Sequence, residues 1–331
     1  MSLYQGIKGH KRQIEIIERA LSGNTVPHAY LFTGMKGIGK KMVALNLASA
    51  LQCTSHGERP CGMCNACVKS RDANHPDIVL LEPDGKFIKI EQIRELQKRL
   101  AYKPFEGIAT VCIVDGADKM NPAAANSLLK LLEEPPPAAY LILIAENVRQ
   151  IIPTIISRCQ KLKFNTLSNK EISEILLKEQ GLSEKDAASI ARISEGSPGK
   201  ALVFYESFPV NERERLLTAV TELGSMDEVF TLAEELTRKD SVDKLMDYLE
   251  IIKFYLRDLA FLKSGMGEDN LINIADRDIM EKGKASYSLN SLLCMAEAVS
   301  GTESALLMNG NKRLAVENML IKFHYAKAKL C

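Results

Sequence analysis

The chain has 331 residues, of which 46% are hydrophobic, and its 43 Lys and Arg residues nearly balance its 42 Asp and Glu residues. Such a chain can bury the cores of two or three domains, and its charge does not indicate a strongly basic nucleic-acid-binding protein, so any DNA contact must be local or shared. No run approaches the roughly 18 apolar residues of a membrane span, and the N-terminus lacks the apolar core of a signal peptide. The sequence therefore predicts a globular, cytoplasmic protein.

The first half of the chain alternates short apolar runs with segments of helical periodicity, which predicts a parallel sheet covered by helices. Strands are predicted at His28–Thr33, Asp77–Leu81, Thr110–Asp115, Tyr140–Ala145 and Gln160–Phe164. Helices are predicted at Lys11–Ser22, Lys40–Leu51, Ile90–Ala101 and Pro122–Leu132. Asn121 is a suitable N-cap for the last helix, because its side chain can accept a hydrogen bond from the first turn.

The second half contains only helical patterns, such as those at Asn169–Gln180 and Asp243–Leu262. A break at Gly196–Gly199 separates two groups of these helices. The sequence thus predicts an α/β domain at residues 1–165, a small helical domain at 166–207 and an all-α domain at 208–331.

The segment GMKGIGKK at positions 34–41 follows the first predicted strand and opens a predicted helix. In this context G-x-x-x-x-G-K forms a loop that binds phosphates through its backbone N–H groups, so Gly34, Gly37, Gly39 and Lys40 are candidate nucleotide-binding residues. The next position is normally Ser or Thr, whose hydroxyl binds Mg²⁺, but here it is Lys41. An ammonium group cannot bind a metal ion, so ATP and Mg²⁺ binding is predicted to be weak or absent.

Asp115 ends a predicted apolar strand, where P-loop enzymes place the carboxylate that supports Mg²⁺. In active ATPases of this kind a Glu normally follows and activates water, but here the next residue is Gly116. General-base catalysis, worth about 10²- to 10⁴-fold in rate, loses its usual residue. Two separate losses favour a domain that no longer hydrolyses ATP over a working ATPase.

Simpler interpretations of both segments remain open. The glycines can form a strand-to-helix turn that uses their backbone freedom and binds no ligand. Asp115 can equally be an ordinary turn residue at the end of a strand.

Four cysteines lie close together in the sequence, with the spacing Cys53-x7-Cys61-x2-Cys64-x2-Cys67. In a reducing cytoplasm this spacing favours a metal over disulfides, and four thiolates suffice for a tetrahedral Zn²⁺. An iron–sulfur cluster is the alternative, but in the ferredoxin pattern the outlying cysteine follows the close trio, whereas here it precedes it. A site with four cysteine ligands leaves no open position, so the predicted zinc is structural. Nucleic-acid contact is a further possibility for such a module, although its neighbouring charges are of mixed sign.

Arg158 lies in the tripeptide Ser157-Arg158-Cys159, and several further segments complete a family pattern. They are HAYLFTGMKGIGK near the N-terminus, the four-cysteine insertion, NSLLKLLEEPP at 126–136, GSPGKAL at 196–202 and NKRLAVENML near the C-terminus. With these motifs the chain resembles bacterial DNA polymerase III clamp-loader subunits of the AAA+ class, over essentially its whole length. It is most similar to the delta prime type, since the altered phosphate loop and the missing Glu match that type better than the gamma or tau motor.

The resemblance implies an AAA+ P-loop domain with a zinc insertion, a small helical lid and a helical collar that closes a ring. It also implies a heteropentamer with gamma or tau motor subunits and a delta subunit, which places a sliding clamp on primed DNA. In such a ring, Arg158 would act as an arginine finger on the ATP of the neighbouring motor subunit, an effect worth about 10³- to 10⁵-fold in rate.

Two other functions are consistent with the same residues. One is an ATP-hydrolysing motor subunit of the gamma or tau type that tolerates unusual residues in its phosphate loop. The other is a zinc-dependent nucleic-acid-binding module whose nucleotide domain is vestigial.

Overall fold

The computed structural model describes residues 7–55, 57, 59–72, 74–207, 210–238, 241–265, 271 and 277–327. The chain forms two compact units, of which the first extends to Glu171 and includes Gly196–Gly199. The second comprises Ile172–Glu195 and the chain from Lys200 onward. The three-domain division at 1–165, 166–207 and 208–331 stays a prediction, and residues 208, 209 and 328–331 lie outside the described part.

The first unit is built on a five-stranded parallel sheet in the order β2-β3-β4-β1-β5. The strands are β1 (Ala29–Thr33), β2 (Ile78–Leu81), β3 (Thr110–Asp115), β4 (Ala139–Ala145) and β5 (Gln160–Lys163). All five agree with the predicted strands to within one residue at each end. The predicted α/β fold class is confirmed.

Helix α1 (Lys11–Ser22) precedes β1, and five helices connect the strands: α2 (Lys40–Gln52), α3 (Asn65–Arg71), α4 (Ile90–Leu100), α5 (Pro122–Glu133) and α6 (Pro153–Ile156). The side chain of Asn121 accepts a hydrogen bond from the Ala124 N–H at 2.8 Å, as its predicted N-cap role requires. Helix α3 was not predicted, because it is short and lies inside the cysteine-rich insertion.

Alternation along the strands divides the core between the two faces of the sheet. On one face, residues such as Phe32 and Ile113 pack with Val43 and Leu47 of α2. On the other face, residues such as Val114 and Leu143 pack with helices α4 and α5. Strand β1 lies between β4 and β5, and β3 lies beside β4, so the carboxyl ends of β1, β3 and β4 are neighbours. The candidate nucleotide-binding residues lie at this edge, in the segment that follows β1 and at the last residue of β3.

The second unit consists of helices throughout its described residues. They are α7 (Asn169–Gln180), whose first turn belongs to the first unit, α8 (Glu184–Ile193), α9 (Pro198–Ser207), α10 (Val210–Glu222), α11 (Met226–Arg238), α12 (Val242–Lys263), α13 (Arg277–Ser286), α14 (Leu289–Leu307) and α15 (Lys312–Lys327). Buried tyrosines join several of them: the Tyr287 hydroxyl donates to the Val220 carbonyl at 3.0 Å, and the Tyr255 hydroxyl lies 2.6 Å from the Thr221 hydroxyl. Among the described helices, none has the length and apolar character of a membrane span.

Candidate functional site

The phosphate loop, residues 34–41, connects β1 to α2 and depends on its glycines for its shape. Gly34, Gly37 and Gly39 have positive φ angles of 149°, 74° and 98°. A Cβ atom on Gly34 would lie 2.7 Å from Ile38 Cδ1 and still closer to the Phe164 carbonyl oxygen. The loop therefore keeps the conformation for which P-loop glycines are needed.

The Lys40 ammonium group turns toward its own loop. It donates hydrogen bonds of 2.6 Å to the carbonyl oxygens of Gly34 and Met35. Burial lowers the pKa of Lys40, and the negative charges of Glu146, Asp115 and Asp118 partly offset this effect. Lys40 is thus a buried cation with three carboxylates near it. It belongs to the loop whose sequence predicts a phosphate site.

Lys41 reaches the carboxylates at the ends of the two neighbouring strands β2 and β3. Its ammonium lies 2.6 Å from Glu82 Oε1 and 3.7 Å from Asp115 Oδ2. Asp115 therefore sits where the sequence analysis expected a metal-supporting carboxylate, but its described cationic partner is a lysine. Since Lys41 cannot supply a metal-binding oxygen, the residues present do not fit the Mg²⁺ that the P-loop class implies.

The position that carries a catalytic Glu in active relatives of this fold is occupied by a glycine with a left-handed backbone. Gly116 has φ 84°, and a Cβ there would lie 3.2 Å from Pro83 Cγ. A glutamate at this position would therefore strain the backbone. The backbone conformation at this position, as well as the lack of a side chain, therefore disfavours a catalytic glutamate.

Asp118 does not replace that base. It lies in a single turn at Ala117–Lys119, and its Oδ2 accepts hydrogen bonds from the N–H groups of Glu146 and Asn147 at 3.3 and 2.9 Å. Its Oδ1 is buried, without a hydrogen-bond partner among the described residues. Asp118 thus fixes the loop after β4, and its second oxygen adds negative charge near Lys40.

The segment Gly196–Gly199 packs directly on the phosphate loop within the first unit. The Gly199 N–H donates to the Gly37 carbonyl at 2.8 Å, and the Ser197 hydroxyl donates to the Lys36 carbonyl at 2.9 Å. A Cβ on Gly199 would lie 2.9 Å from the Gly37 Cα, so only glycine permits this approach. These contacts fix the position of the phosphate loop at Lys36 and Gly37.

The four-cysteine cluster, formed by Cys53, Cys61, Cys64 and Cys67, brings all four predicted ligands together. Their Sγ atoms lie within 4.8 Å of one another, and the Cys61–Cys67 and Cys53–Cys64 pairs are each 4.0 Å apart. Sulfur ligands about 2.3 Å from a tetrahedral Zn²⁺ are about 3.8 Å apart, so the cluster fits zinc with little contraction. The Cys61 and Cys64 N–H groups donate to the sulfurs of Cys53 and Cys61 at 3.4 and 3.3 Å. Such bonds stabilise thiolate charge.

The thiols of the cluster ionise unequally. Burial opposes ionisation of Cys64, but hydrogen bonds from the N–H groups of Cys67 and Thr54 and from the thiols of Cys67 and Cys61 together outweigh it and lower the pKa to about 6. Burial raises the pKa of Cys67 to about 12. A metal that binds Cys67 must therefore displace a proton, which couples metal affinity to pH.

Arg158 follows α6 and is exposed on the first unit. Its guanidinium forms a 2.7 Å ion pair with Glu133 Oε1 and donates to the Thr154 carbonyl at 3.0 Å. The side chains of Arg158 and Glu133 are 36% and 49% exposed. An exposed pair of this kind contributes only about 0–1 kcal/mol, so Arg158 can leave Glu133 for another anion at little cost.

Three acidic residues of these sites were missed by the sequence analysis: Glu82, Glu146 and Glu133. Glu82 follows β2 and Glu146 follows β4, and the carboxyl ends of parallel strands share one edge of the sheet. That rule could have placed Glu82 and Glu146 near Asp115. For Glu133, which lies on α5 far from Arg158 in the sequence, no local pattern signals the contact.

The chain matches known proteins along much of its length. The family described as DNA polymerase III, delta subunit, matches residues 9–168. The DNA polymerase III subunit delta′ of Bacillus subtilis is 39% identical over 183 residues, which are 55% of this chain and 55% of that protein. The subunit delta′ of Haemophilus influenzae is 32% identical over 57% of this chain and 58% of its own length. The match thus spans little more than half of these two relatives.

A longer match decides the family. The DNA polymerase III subunit gamma of Buchnera aphidicola subsp. Acyrthosiphon pisum is 30% identical over 248 residues, which are 72% of this chain and 68% of that protein. The chain belongs to the family of DNA polymerase III clamp-loader subunits. The matches to delta′ subunits confirm the predicted delta prime type.

The fold is shared with a solved member of the same group. The crystal structure of a DNA polymerase III gamma subunit-related protein from Thermotoga maritima has a TM-score of 0.52 and 17% identity, and the match covers 95% of this chain and 99% of that one. At this identity the likeness concerns the fold alone.

Proposed function

We propose that this protein is a non-hydrolysing delta prime subunit that assists ATP hydrolysis by a neighbouring motor subunit of a DNA polymerase III clamp loader. The observation that carries the proposal is the contact of Lys41 with Asp115, 3.7 Å apart. It places a cation beside the carboxylate that a hydrolysing subunit needs for Mg²⁺. The positive φ of Gly116, at the position of the catalytic Glu, supports the same conclusion.

Arg158 is the residue proposed to act on the neighbour. An arginine finger must be exposed and free to change partners, and Arg158 has both properties, since its ion pair with Glu133 is exposed. A guanidinium placed at the γ-phosphate of a bound ATP stabilises the charge of the transition state. Arg158 thus stands as a candidate catalytic residue of a site completed by another chain.

The proposed partners follow from the family. They are gamma or tau motor subunits and a delta subunit in a heteropentamer, which together load a sliding clamp onto primed DNA. Within this assembly the four-cysteine cluster is proposed to hold a structural Zn²⁺, because its four sulfurs leave no position for a reacting ligand. The helices beyond residue 208 are proposed to form the collar.

The test is reconstitution of the complete clamp loader with wild-type chain, Arg158→Ala or Arg158→Lys. Hydrolysis at the one site next to this subunit should fall by about 10³-fold or more in Arg158→Ala, and lysine should restore little, because it lacks the planar fork of guanidinium. Single-turnover ATP hydrolysis and clamp loading on primed DNA are the measurements. Arg149→Ala, which removes an exposed arginine from the same unit, is the matched control.

Two results would contradict the proposal. Unchanged hydrolysis and clamp loading with Arg158→Ala would show that Arg158 is not an arginine finger. Mg²⁺-dependent ATP turnover by the isolated chain would favour the alternative of a motor subunit.

A further inference from the structure

The Lys41 ammonium occupies a place among carboxylates that suits a cation. Glu82 and Asp115 approach it from the ends of β2 and β3, at 2.6 and 3.7 Å. Asp115, Asp118 and Glu146 also act electrostatically on the adjacent Lys40. Two carboxylates therefore lie close to the Lys41 ammonium, and three act on Lys40, at the carboxyl edge of the sheet.

We infer that Lys41 takes the place of the divalent cation, so that Mg²⁺ has no part in anything this phosphate loop binds. An ion approaching Asp115 would meet a positive charge 3.7 Å from the carboxylate oxygen that it has to bind. Mg²⁺ binds oxygen at about 2.1 Å in a strict octahedron, and Lys41 neither leaves that space free nor supplies the missing oxygen. The inference deepens the proposed function and rests on it only for the claim that the loop belongs to a non-hydrolysing subunit.

The same contacts do little for stability. The side chains of Lys41 and Glu82 are 40% and 53% exposed, and ion pairs of this exposure contribute little to folding. The effect of Lys41 is therefore local: it determines which ions the neighbouring carboxylates bind. Because Lys41 is only half-buried and is not part of the hydrophobic core, its replacement leaves the core of the unit intact.

The experiment measures ATP affinity of the isolated full chain by calorimetry, in excess Mg²⁺ and in excess EDTA. For the wild type we expect the two affinities to agree within about twofold, well below the roughly 5- to 150-fold coupling usual between linked ligands. In Lys41→Thr, which removes the ammonium and adds a hydroxyl, Mg²⁺ should raise ATP affinity by about 5- to 150-fold. Direct binding of Mn²⁺ in the presence of ATP, followed by electron paramagnetic resonance, should show the same gain.

Two matched variants locate the effect. Lys41→Arg keeps the positive charge and should stay independent of Mg²⁺. The double variant Lys41→Thr with Asp115→Asn should lose the gain, because the carboxylate that receives the ion is gone.

The inference is overturned if the wild type binds ATP more tightly with Mg²⁺, or if Lys41→Thr shows no gain with Mg²⁺. Either result leaves the role of Arg158 untouched, since these measurements involve neither hydrolysis nor a partner. Conversely, a null result for Arg158→Ala in the reconstituted loader would not alter the Mg²⁺ dependence of the isolated chain.

Discussion

The four-cysteine cluster and the phosphate loop are both ligand-binding patterns of the first unit, yet they differ in what has been retained. The cluster keeps the Sγ atoms of all four candidate metal ligands within 4.8 Å of one another. The phosphate loop keeps its glycine backbone and Lys40, but Lys41 stands at the metal position. One pattern is complete in its side chains, and the other is complete only in its backbone.

The difference shows that the backbone of a site and its side chains can be retained for different reasons, one for packing and the other for binding. A metal cluster without its ligands loses the bond energy that holds a short insertion together. The glycines of the phosphate loop are needed for packing, since Gly34 lies against the Phe164 carbonyl and Gly199 against Gly37. The loop can therefore lose its metal chemistry and keep its fold.

Removing the metal should produce the largest effect. Cys64→Ser should abolish stoichiometric zinc and destabilise the insertion by about 10 kcal/mol, the scale of binding energies in small zinc modules. Metal analysis and hydrogen exchange in α3 are the measurements. Cys159→Ser, outside the cluster, should keep its zinc and its exchange pattern, and a zinc content unaffected by Cys64→Ser would contradict the assignment.

Two glycine substitutions test whether the phosphate loop is kept for its packing. Gly34→Ala should lower the free energy of unfolding by about 3 kcal/mol, because it combines an unfavourable φ with steric overlap. Gly39→Ala is the control: its φ is also positive, but a Cβ there meets no atom within 4 Å, so the cost should be only about 1–2 kcal/mol. Urea unfolding measures both. Equal losses would show that overlap with Phe164 has no influence.

A substitution of Asp77 tests whether the residues around the four-cysteine cluster help to stabilise it. Its carboxylate accepts the N–H groups of Phe105, Glu106 and Gly107 at 2.6, 3.0 and 2.8 Å, and Glu106 is bonded to Lys69 of α3. Asp77→Asn should lower the free energy of unfolding by about 1–3 kcal/mol at pH 7. This is the smallest of the three effects.

The pH dependence identifies the charged form of Asp77 as the cause. Burial opposes its ionisation, but the three N–H donors outweigh burial and lower its pKa below the usual 3.8. The stability that it contributes is complete above pH 3.8 and is lost as pH falls through the lowered pKa, so wild type and Asp77→Asn should converge in strong acid. Asp72→Asn, an exposed neighbour, is the control. A constant difference across this range would exclude the carboxylate as the cause.

Patterns confined to a short segment were read correctly from the sequence. The strands, the helix N-cap at Asn121 and the gathering of four cysteines all depend on residues near one another in the chain. The contacts of Lys41 and Arg158 depend on residues brought together by the sheet and were not predicted. From the sequence, Lys41 indicated only the loss of a metal-binding hydroxyl. The structure adds that its ammonium pairs with Glu82 and Asp115.

By itself the sequence determined the parallel α/β fold, the family, the four-cysteine cluster and the loss of a metal-binding hydroxyl, because periodicity, spacing and residue type are local properties. Tertiary structure alone decided what surrounds Lys41, since strand order places the ends of β2 and β3 beside the start of α2. It also decided that Gly116 has a left-handed backbone and that Arg158 rests on Glu133. Charges interact through space, so their partners become known only when the chain is folded.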